Sequence, residues 1–291
     1  MRVAILFTDG VGVGPRAPAT NPLARDAYLL SQFDDGTGTP LPPGGTRLDV
    51  DTTFGVEGRP QSASNQTAIF TGQPAPRLIG QHVLGYPNAP LRELLAAHSI
   101  VRAMRDAQRT AAFLNSFPLA YLDALKLRHA EAPDDGITIP PRYARRLKAS
   151  ASTLAFAAAD AEFHTLADRA LTHDLKRVPP DEAAARFWNL AADFTLFEHF
   201  LADEAGHAQD ADAARDALLR FDTFARAVIA SRPADAQVLI CSDHGNVEDL
   251  STRGHTHNRV AVLHFGATTP PPMHTVADVG AAALTLLGVD R

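Results

Sequence analysis

Short apolar runs that end in acidic or polar residues recur along the chain, and they alternate with segments of helical periodicity. The clearest runs are VAILFTDG from residue 3, QVLICSD from residue 237 and RVAVLHFG from residue 259. Weaker runs are RLDVDTTF, RTAAFLNSF and DFTLFEHF, which begin at residues 47, 109 and 193. Continuous apolar runs of this length are typical of strands that are buried on both faces. The pattern therefore predicts six strands of one buried sheet.

Helical spacing of apolar residues fills most of the intervals between these strands. It occurs at 22–33 (PLARDAYLLSQF), at 91–108 (LRELLAAHSIVRAMRDAQ), at about 211–231, and in the closing segment VADVGAAALTLLGV. The segment SASNQTAIFTG has a serine at its start, Ser62, and a glycine at its end, Gly72, which are helix start and stop signals. Alternation of strands and helices predicts an α/β fold with a mostly parallel sheet sandwiched by helices.

The character of the chain changes between about residues 119 and 190. This segment is rich in Ala, Arg and Lys and contains no clear buried strand. We therefore predict a small, mainly helical cap insertion at 119–190 and a catalytic core formed by 1–118 and 191–291.

Composition narrows the class of protein. The chain has 291 residues, 45% of them hydrophobic, a net charge of −6 and a single cysteine. The acidic balance argues against a nucleic-acid partner, and one cysteine excludes a disulfide framework or a thiolate zinc site. No apolar window is long enough for a membrane span, and the first apolar run is too short for a signal peptide. A cytoplasmic location without a membrane partner is the expectation.

Carboxylates and imidazoles gather where the predicted strands end. Ligands of parallel α/β sheets bind at the carboxyl ends of the strands. These residue types, without thiolates, suit zinc, manganese or iron, and their number exceeds what one tetrahedral zinc requires. Two divalent ions fit better, an arrangement that recurs in phosphoryl transfer. The candidate ligands are Asp9, Asp203, His207, Asp243, His244 and His255.

Five short motifs occur in a fixed order: FTDGVG, SASNQTAIFTG, DEAGH, SDHGNVED and GHTHN. Together they resemble the alkaline phosphatase superfamily, especially the branch of cofactor-independent phosphoglycerate mutase and phosphopentomutase. The resemblance covers 1–118 and 191–291. It implies two divalent ions, zinc or manganese. It implies one site made by Asp9, Asp243 and His244 with a Ser or Thr nucleophile, and a second site made by the remaining ligands, Asp203, His207 and His255.

The same resemblance selects Ser62 as the nucleophile, because the family's nucleophile lies ten residues before the glycine that closes its helix, here Gly72. A helix N-terminus also favours a phosphate, and we expect Ser62 to be a further ligand of the first metal, which can activate its hydroxyl. Ser64 and Thr67 are rivals that lie deeper in the helix. Asn65 stands where related phosphodiesterases carry an Asn that steadies a phosphoryl oxygen, although the mutases differ there.

These features predict a phosphomonoesterase that acts on a small phosphorylated metabolite through a phosphoserine on Ser62. Hydrolysis is favoured because a mutase must enclose its substrate, and the predicted cap is small. A phosphomutase is the first alternative, followed by a phosphodiesterase and by an inactive, metal-free binding protein. In the cap, Arg142, Arg145 and Arg146 are candidate contacts for a substrate anion, although such residues most often form a solvated helix face.

Overall fold

The computed structural model describes residues 1–115, 149–159, 162–164 and 178–290. Its strands are β1 (Arg2–Thr8), β2 (Gly45–Val50), β3 (Ala111–Leu114), β4 (Glu162–His164), β5 (Phe194–His199), β6 (Ala236–Cys241) and β7 (Val260–Phe265). They form one sheet in the order β2-β7-β6-β1-β5-β3-β4. Within this sheet, β7 pairs antiparallel with both of its neighbours, and the pairs on the other side of β6 are parallel. The prediction of a mostly parallel α/β sheet is confirmed.

The helices cover both faces of the sheet. They are α1 (Ser62–Thr71), α2 (Ala75–Ile79), α3 (Ala89–His98), α4 (Ile100–Asp106), α5 (Ala151–Ala158), α6 (Pro180–Leu190), α7 (Leu201–Ala208), α8 (Ala211–Ala230) and α9 (Ala277–Leu287). Along β1, Val3, Ile5 and Phe7 belong to one hydrophobic cluster, whereas Ala4 and Leu6 belong to another. Successive side chains of a strand point to opposite faces, so this run is apolar throughout because both faces are covered.

The prediction of a helix at 22–33 is wrong beyond the first turn. Only a short 3-10 helix, Pro22–Ala24, forms there. The Ser31 hydroxyl donates to Leu23 O and lies 3.0 Å from Asp26 O, and the Leu29 amide donates to the Asp222 carboxylate. Side-chain partners of this kind replace the helical backbone pattern.

The segment 91–108, predicted as one helix, forms two. Ser99 adopts an extended conformation between α3 and α4, and its side chain accepts a hydrogen bond from Arg102 N. The serine therefore caps the second helix, which is a role that competes with a place inside a continuous helix.

The described parts of the predicted insertion belong to the sheet and its helical layers. The expectation that 119–190 contains no strand is wrong, because β4 pairs parallel with β3. Helix α5 contributes buried residues to the core, and the ring of Phe156 lies 5.1 Å from that of Phe113. Helix α6 packs against α8. Any separate cap is thus a prediction for 116–148 and 165–177, and the candidate contacts Arg142, Arg145 and Arg146 lie outside the described residues.

None of the described helices combines the length and the apolar character that crossing a membrane requires.

Candidate active site

Three neighbouring strands bring the candidate ligands together at one edge of the sheet. β1 lies between β5 and β6 and runs parallel to both, so the carboxyl ends of all three strands are adjacent. Asp9 follows β1, α7 follows β5, and Asp243 with His244 follows β6. His255 lies on the connection between β6 and β7.

Asp9, Asp243 and His244 form what we call the buried cluster. His244 Nε2 lies 3.3 Å from Asp9 Oδ1 and 3.5 Å from Asp243 Oδ2. All three side chains are buried, and one potential ligand atom from each lies within 4.8 Å of the others. The structure thus groups these residues as the resemblance implies.

Asp203, His207 and His255 form what we call the rim cluster. Asp203 and His207 lie one turn apart on α7. His207 Nε2 is 3.2 Å from Asp203 Oδ2 and 3.2 Å from His255 Nε2. His255 Nε2 is 3.7 Å from Asp203 Oδ1. All six predicted ligands therefore fall into two groups of three.

The two clusters adjoin each other. The rings of His244 and His255 stack with their centroids 3.7 Å apart and an interplanar angle of 17°. Gly10 follows Asp9 with φ +71°, and a Cβ at that position would lie 2.5 Å from Asp203 Oδ1. A glycine is needed here because the loop after β1 approaches α7 too closely for any side chain.

Ser62 is the first residue of α1 and lines the cleft beside both clusters. Its Oγ lies 2.9 Å from His244 Nε2. The rival hydroxyls have other partners, since Ser64 donates to Gln61 O and Thr67 donates to Ala63 O, and both residues are buried. Of the three hydroxyls considered, only Ser62 lines this cleft.

Asn65 does not reach the cleft, which differs from its predicted role beside a phosphoryl oxygen. Its side chain is buried, and its Nδ2 donates to Thr52 O at 2.8 Å and to Asp243 O at 2.9 Å. Asn65 therefore fixes the backbone around the buried cluster. The next residue, Gln66, lines the cleft, and its Nε2 lies 3.1 Å from both Asp9 Oδ2 and Asp243 Oδ2. Helical spacing could have found it, since residues four apart share a helix face with Ser62.

The charge of the buried cluster fits a cation. Burial, together with the negative charges of Asp243 and Asp203, raises the pKa of Asp9 well above its usual range. Burial and the charge of Asp203 also raise the pKa of Asp243 to about 7. Asp9 Oδ1 is buried without a hydrogen-bond partner among the described residues. Neighbouring carboxylates of this kind are stabilised by a metal ion, which supplies the missing positive charge.

Two of the three candidate imidazole ligands, His244 and His255, also have the protonation state that metal binding requires. Burial lowers the pKa of His244 to about 4, and burial with the neighbouring His244 lowers the pKa of His255 to about 4. Both rings are therefore neutral near pH 7, and neutral imidazole is the ligand form. At the rim, the hydrogen bond to Asp203 raises the pKa of His207 to about 8. A metal there would have to displace that proton.

Surrounding groups hold the ligands in orientation. The Nδ1 of His207 lies 2.6 Å from Arg253 O, and that of His255 lies 2.7 Å from Pro60 O. Each Nε2 consequently faces the rim cluster. Asn246, which the sequence reading did not single out, donates from Nδ2 to Asp203 Oδ1 at 2.7 Å. Contacts of this kind fix the tautomer and the direction of metal-binding side chains.

Glu248 is a second residue that the sequence reading missed. It is fully buried and accepts four hydrogen bonds: from Gly12 N, Asn246 N, Thr256 Oγ1 and Asn258 Nδ2. These partners come from the loop after β1 and from the connection between β6 and β7. Glu248 therefore ties together the segments that carry both clusters.

Replacing Glu248 with glutamine should lower the free energy of unfolding by about 2–4 kcal/mol, because an amide group cannot accept from all four donors. Urea unfolding measures the change. Glu57→Gln is the matched control, since Glu57 is exposed, and it should stay within about 0.5 kcal/mol of the native protein. Equal urea midpoints for the two variants would contradict the tying role of Glu248.

Glu198 is a further buried carboxyl near this edge, and burial raises its pKa to about 8. Ser150 Oγ lies 3.4 Å from its Oε2, and Ser150 also lines the cleft. Ser150 falls in the segment that the sequence predicts to be a cap, so its position at the site is not expected from the sequence.

Two adjoining carboxylate–imidazole clusters beside a serine at a helix N-terminus define the class: an α/β protein with a candidate metal centre. Residues 171–291 match the family model described as "Metalloenzyme superfamily". A 2,3-bisphosphoglycerate-independent phosphoglycerate mutase from Haloarcula marismortui is 36% identical over 101 residues, which are 31% of this chain and 20% of that protein. A phosphopentomutase from Symbiobacterium thermophilum is 32% identical over 91 residues, 30% of this chain and 23% of that protein.

The fold has solved counterparts. The structure of an alkaline phosphatase from the Antarctic bacterium TAB5 superposes with a TM-score of 0.58 at 13% identity and covers 100% of this chain and 99% of that one. The chain is thus similar in sequence to a metalloenzyme family model and to parts of two mutases, and it shares the fold of an alkaline phosphatase. The matches to the two mutases span only about a fifth to a quarter of their length.

Proposed function

We propose that this protein is a metal-dependent phosphomonoesterase that transfers the phosphoryl group of a small phosphate ester to water through Ser62. The observation that carries the proposal is the position of Ser62 Oγ, which lies 2.9 Å from His244 Nε2 in a cleft that both clusters border. Similarity to proteins named as phosphatases and phosphomutases supports an enzyme of one of these two types.

Each cluster offers three ligands for one divalent ion, zinc or manganese, and Ser62 adjoins the buried one. Carboxylate and imidazole ligands without thiolates suit either metal. When bound, two such ions would neutralise the charge of the phosphate and lower the pKa of the Ser62 hydroxyl.

The residues of the chain supply position and orientation. The first turn of α1 presents backbone N–H groups to the phosphate, and Gln61 makes no side-chain cap that would occupy them. Ser62 Oγ then gives up its proton and forms a bond to phosphorus while the bond from phosphorus to the ester oxygen breaks, and the ester oxygen takes up a proton in exchange and leaves as the alcohol. Water attacks the phosphoserine in the second step, which releases inorganic phosphate and restores the hydroxyl. Gln66 Nε2 holds the Asp9 and Asp243 carboxylates in place throughout.

A phosphomutase is the second candidate, because the matched relatives include a phosphoglycerate mutase and a phosphopentomutase. The two reactions share the phosphoserine and differ in its acceptor. In a mutase, a hydroxyl of the same substrate takes the phosphoryl group, so the substrate must stay enclosed. We favour water because the proposed cap is small. Arg142, Arg145 and Arg146 remain candidate contacts for a substrate anion in either reaction.

The test uses the purified protein supplied with zinc or with manganese and a panel of phosphate monoesters. Rapid acid quenching followed by peptide mass mapping should find phosphate on Ser62, and the supernatant should contain inorganic phosphate. If the product is an isomerised ester and no inorganic phosphate is released, the protein is a phosphomutase and not a phosphatase. Phosphate mapped to Ser64 or Thr67, or no phosphopeptide and no turnover with either metal, would overturn the proposal.

A further inference from the structure

The cleft beside the two clusters, with a volume of about 570 Å³, has apolar residues in its lining. Leu84, Gly85 and Tyr86 come from the loop between α2 and α3, and Phe200 directly precedes α7. We call Leu84, Tyr86 and Phe200 the apolar wall. It borders the same cleft as Ser62.

Two members of the apolar wall are open to solvent. Leu84 is 74% exposed and Tyr86 is 43% exposed, whereas Phe200 is half-buried. A single exposed apolar residue has no special meaning, but several around one cleft are typical of a ligand-binding surface.

The loop that carries Leu84 is held against the helix of the nucleophile. The amide of Val83 donates to Ser64 Oγ at 3.1 Å, and Ser64 lies two residues after Ser62 in α1. Gly85 has φ +74°, a conformation that favours glycine and turns the chain between Leu84 and Tyr86. The wall is therefore placed beside the nucleophile by backbone contacts, as a specificity surface requires.

The charges at the cleft disfavour a substrate with a second anionic group. Its charged lining residues are Asp9, Asp203, Glu204, His207 and His255, and no Lys or Arg occurs among the described residues that line it. The three cluster carboxylates and two divalent ions would together carry a net charge of about +1. A phosphate dianion brings about two negative charges, so the bound phosphate alone already makes the site negative by about one charge. A carboxylate or second phosphate on the leaving group would find no Lys or Arg among the described residues that line the cleft.

We propose that the apolar wall binds the alcohol portion of the substrate and that this portion is an uncharged hydrocarbon, aromatic or branched. The inference rests on the proposed function and adds the chemical class of the ester. Leu84 acts as a specificity-determining residue, since it is the most exposed member of the wall and projects from an anchored loop.

Three esters with alcohol leaving groups test the class: benzyl phosphate, methyl phosphate and 3-phosphoglycerate. Benzyl phosphate should have a kcat/KM about tenfold or more above both others, because only its ring can contact the apolar wall. Equal values for benzyl and methyl phosphate, or a preference for 3-phosphoglycerate, would overturn the inference. The second outcome would indicate a cation from residues outside the described ranges.

Leu84→Ala should lower the ratio of kcat/KM for benzyl phosphate over methyl phosphate about five- to tenfold, mainly through KM. Leu219→Ala is the control, because Leu219 is 48% exposed on α8 and does not line the cleft, so the ratio should stay at the native value. If Leu84→Ala keeps the native ratio, the apolar wall does not bind the alcohol portion of the substrate, and the proposed phosphatase function is unaffected. Failure of the proposed function is a separate result, in which none of the three esters is turned over and Ser62 never carries phosphate.

Discussion

Replacing Ser62 with alanine should lower kcat/KM for every phosphate monoester by about 10⁴-fold or more while the protein stays folded. The substitution removes the oxygen that accepts the phosphoryl group, and rates fall this far when the nucleophile of a covalent mechanism is lost. The fold should survive because Ser62 is only half-buried and lines the cleft, so its hydroxyl fills no space in the hydrophobic core. Steady-state kinetics with added metal and thermal unfolding measure the two quantities.

Thr67→Val is the matched control for this variant. It removes one of the two rival hydroxyls of the same helix, which is buried and donates to Ala63 O. We expect a loss of about 1 kcal/mol in unfolding free energy and turnover within about twofold of the native enzyme. A Ser62→Ala protein that keeps more than a tenth of native turnover would mean that another group attacks phosphorus.

The site could be predicted as far as its residues lie in short contiguous motifs. Asp203 and His207 are one helical turn apart, so their sequence spacing almost fixes their separation. Asp9 and Asp243 are 234 residues apart in sequence, yet both directly follow strands that pair in parallel, and strand ends meet at one edge. Gly72 ends α1 in the left-handed conformation that its place in the motif predicts.

Contacts between distant segments could not be predicted in this way. The spacing of four residues from Ser62 indicates that Gln66 shares its helix face, but the partners of Asn65, Thr52 O and Asp243 O, come from segments distant in sequence. The role of Glu248 depends on four donors that folding brings together from separate loops. Nothing in the sequence around Asn65 and Glu248 indicates that their side chains bind the backbone of these segments.

The errors in the fold have local causes. Ser99 interrupts a segment whose apolar spacing is otherwise helical, because its side chain caps the helix that follows. Strand β4 has only three residues and follows the alanine-rich helix α5, so no apolar run marks it. Residues 149–159 fall within the segment predicted to be a cap insertion, although α5 packs into the core.

Each cluster should hold one divalent ion independently, and this can be tested by metal content as well as by rate. We expect about two equivalents of zinc or manganese in the native chain. His207→Ala should empty the rim cluster, and His244→Ala should empty the buried cluster, each with a loss of about one equivalent. Either change should lower kcat/KM by about 10³-fold or more, since two ions together balance the charge on the attacking and leaving oxygens.

The two histidines of the motif GHTHN, His255 and His257, provide the sharpest comparison within this test. His255 is buried, and its Nε2 lies 3.2 Å from His207 Nε2, whereas His257 is exposed and its Nε2 lies 3.2 Å from Gly58 O. His255→Ala should therefore lose about one equivalent of metal together with most turnover, because a three-ligand cluster keeps only two ligands. His257→Ala should keep both ions and native rates. If elemental analysis finds the same metal content in the two variants, His255 is not a ligand, and the rim cluster must bind its ion, if any, through Asp203 and His207.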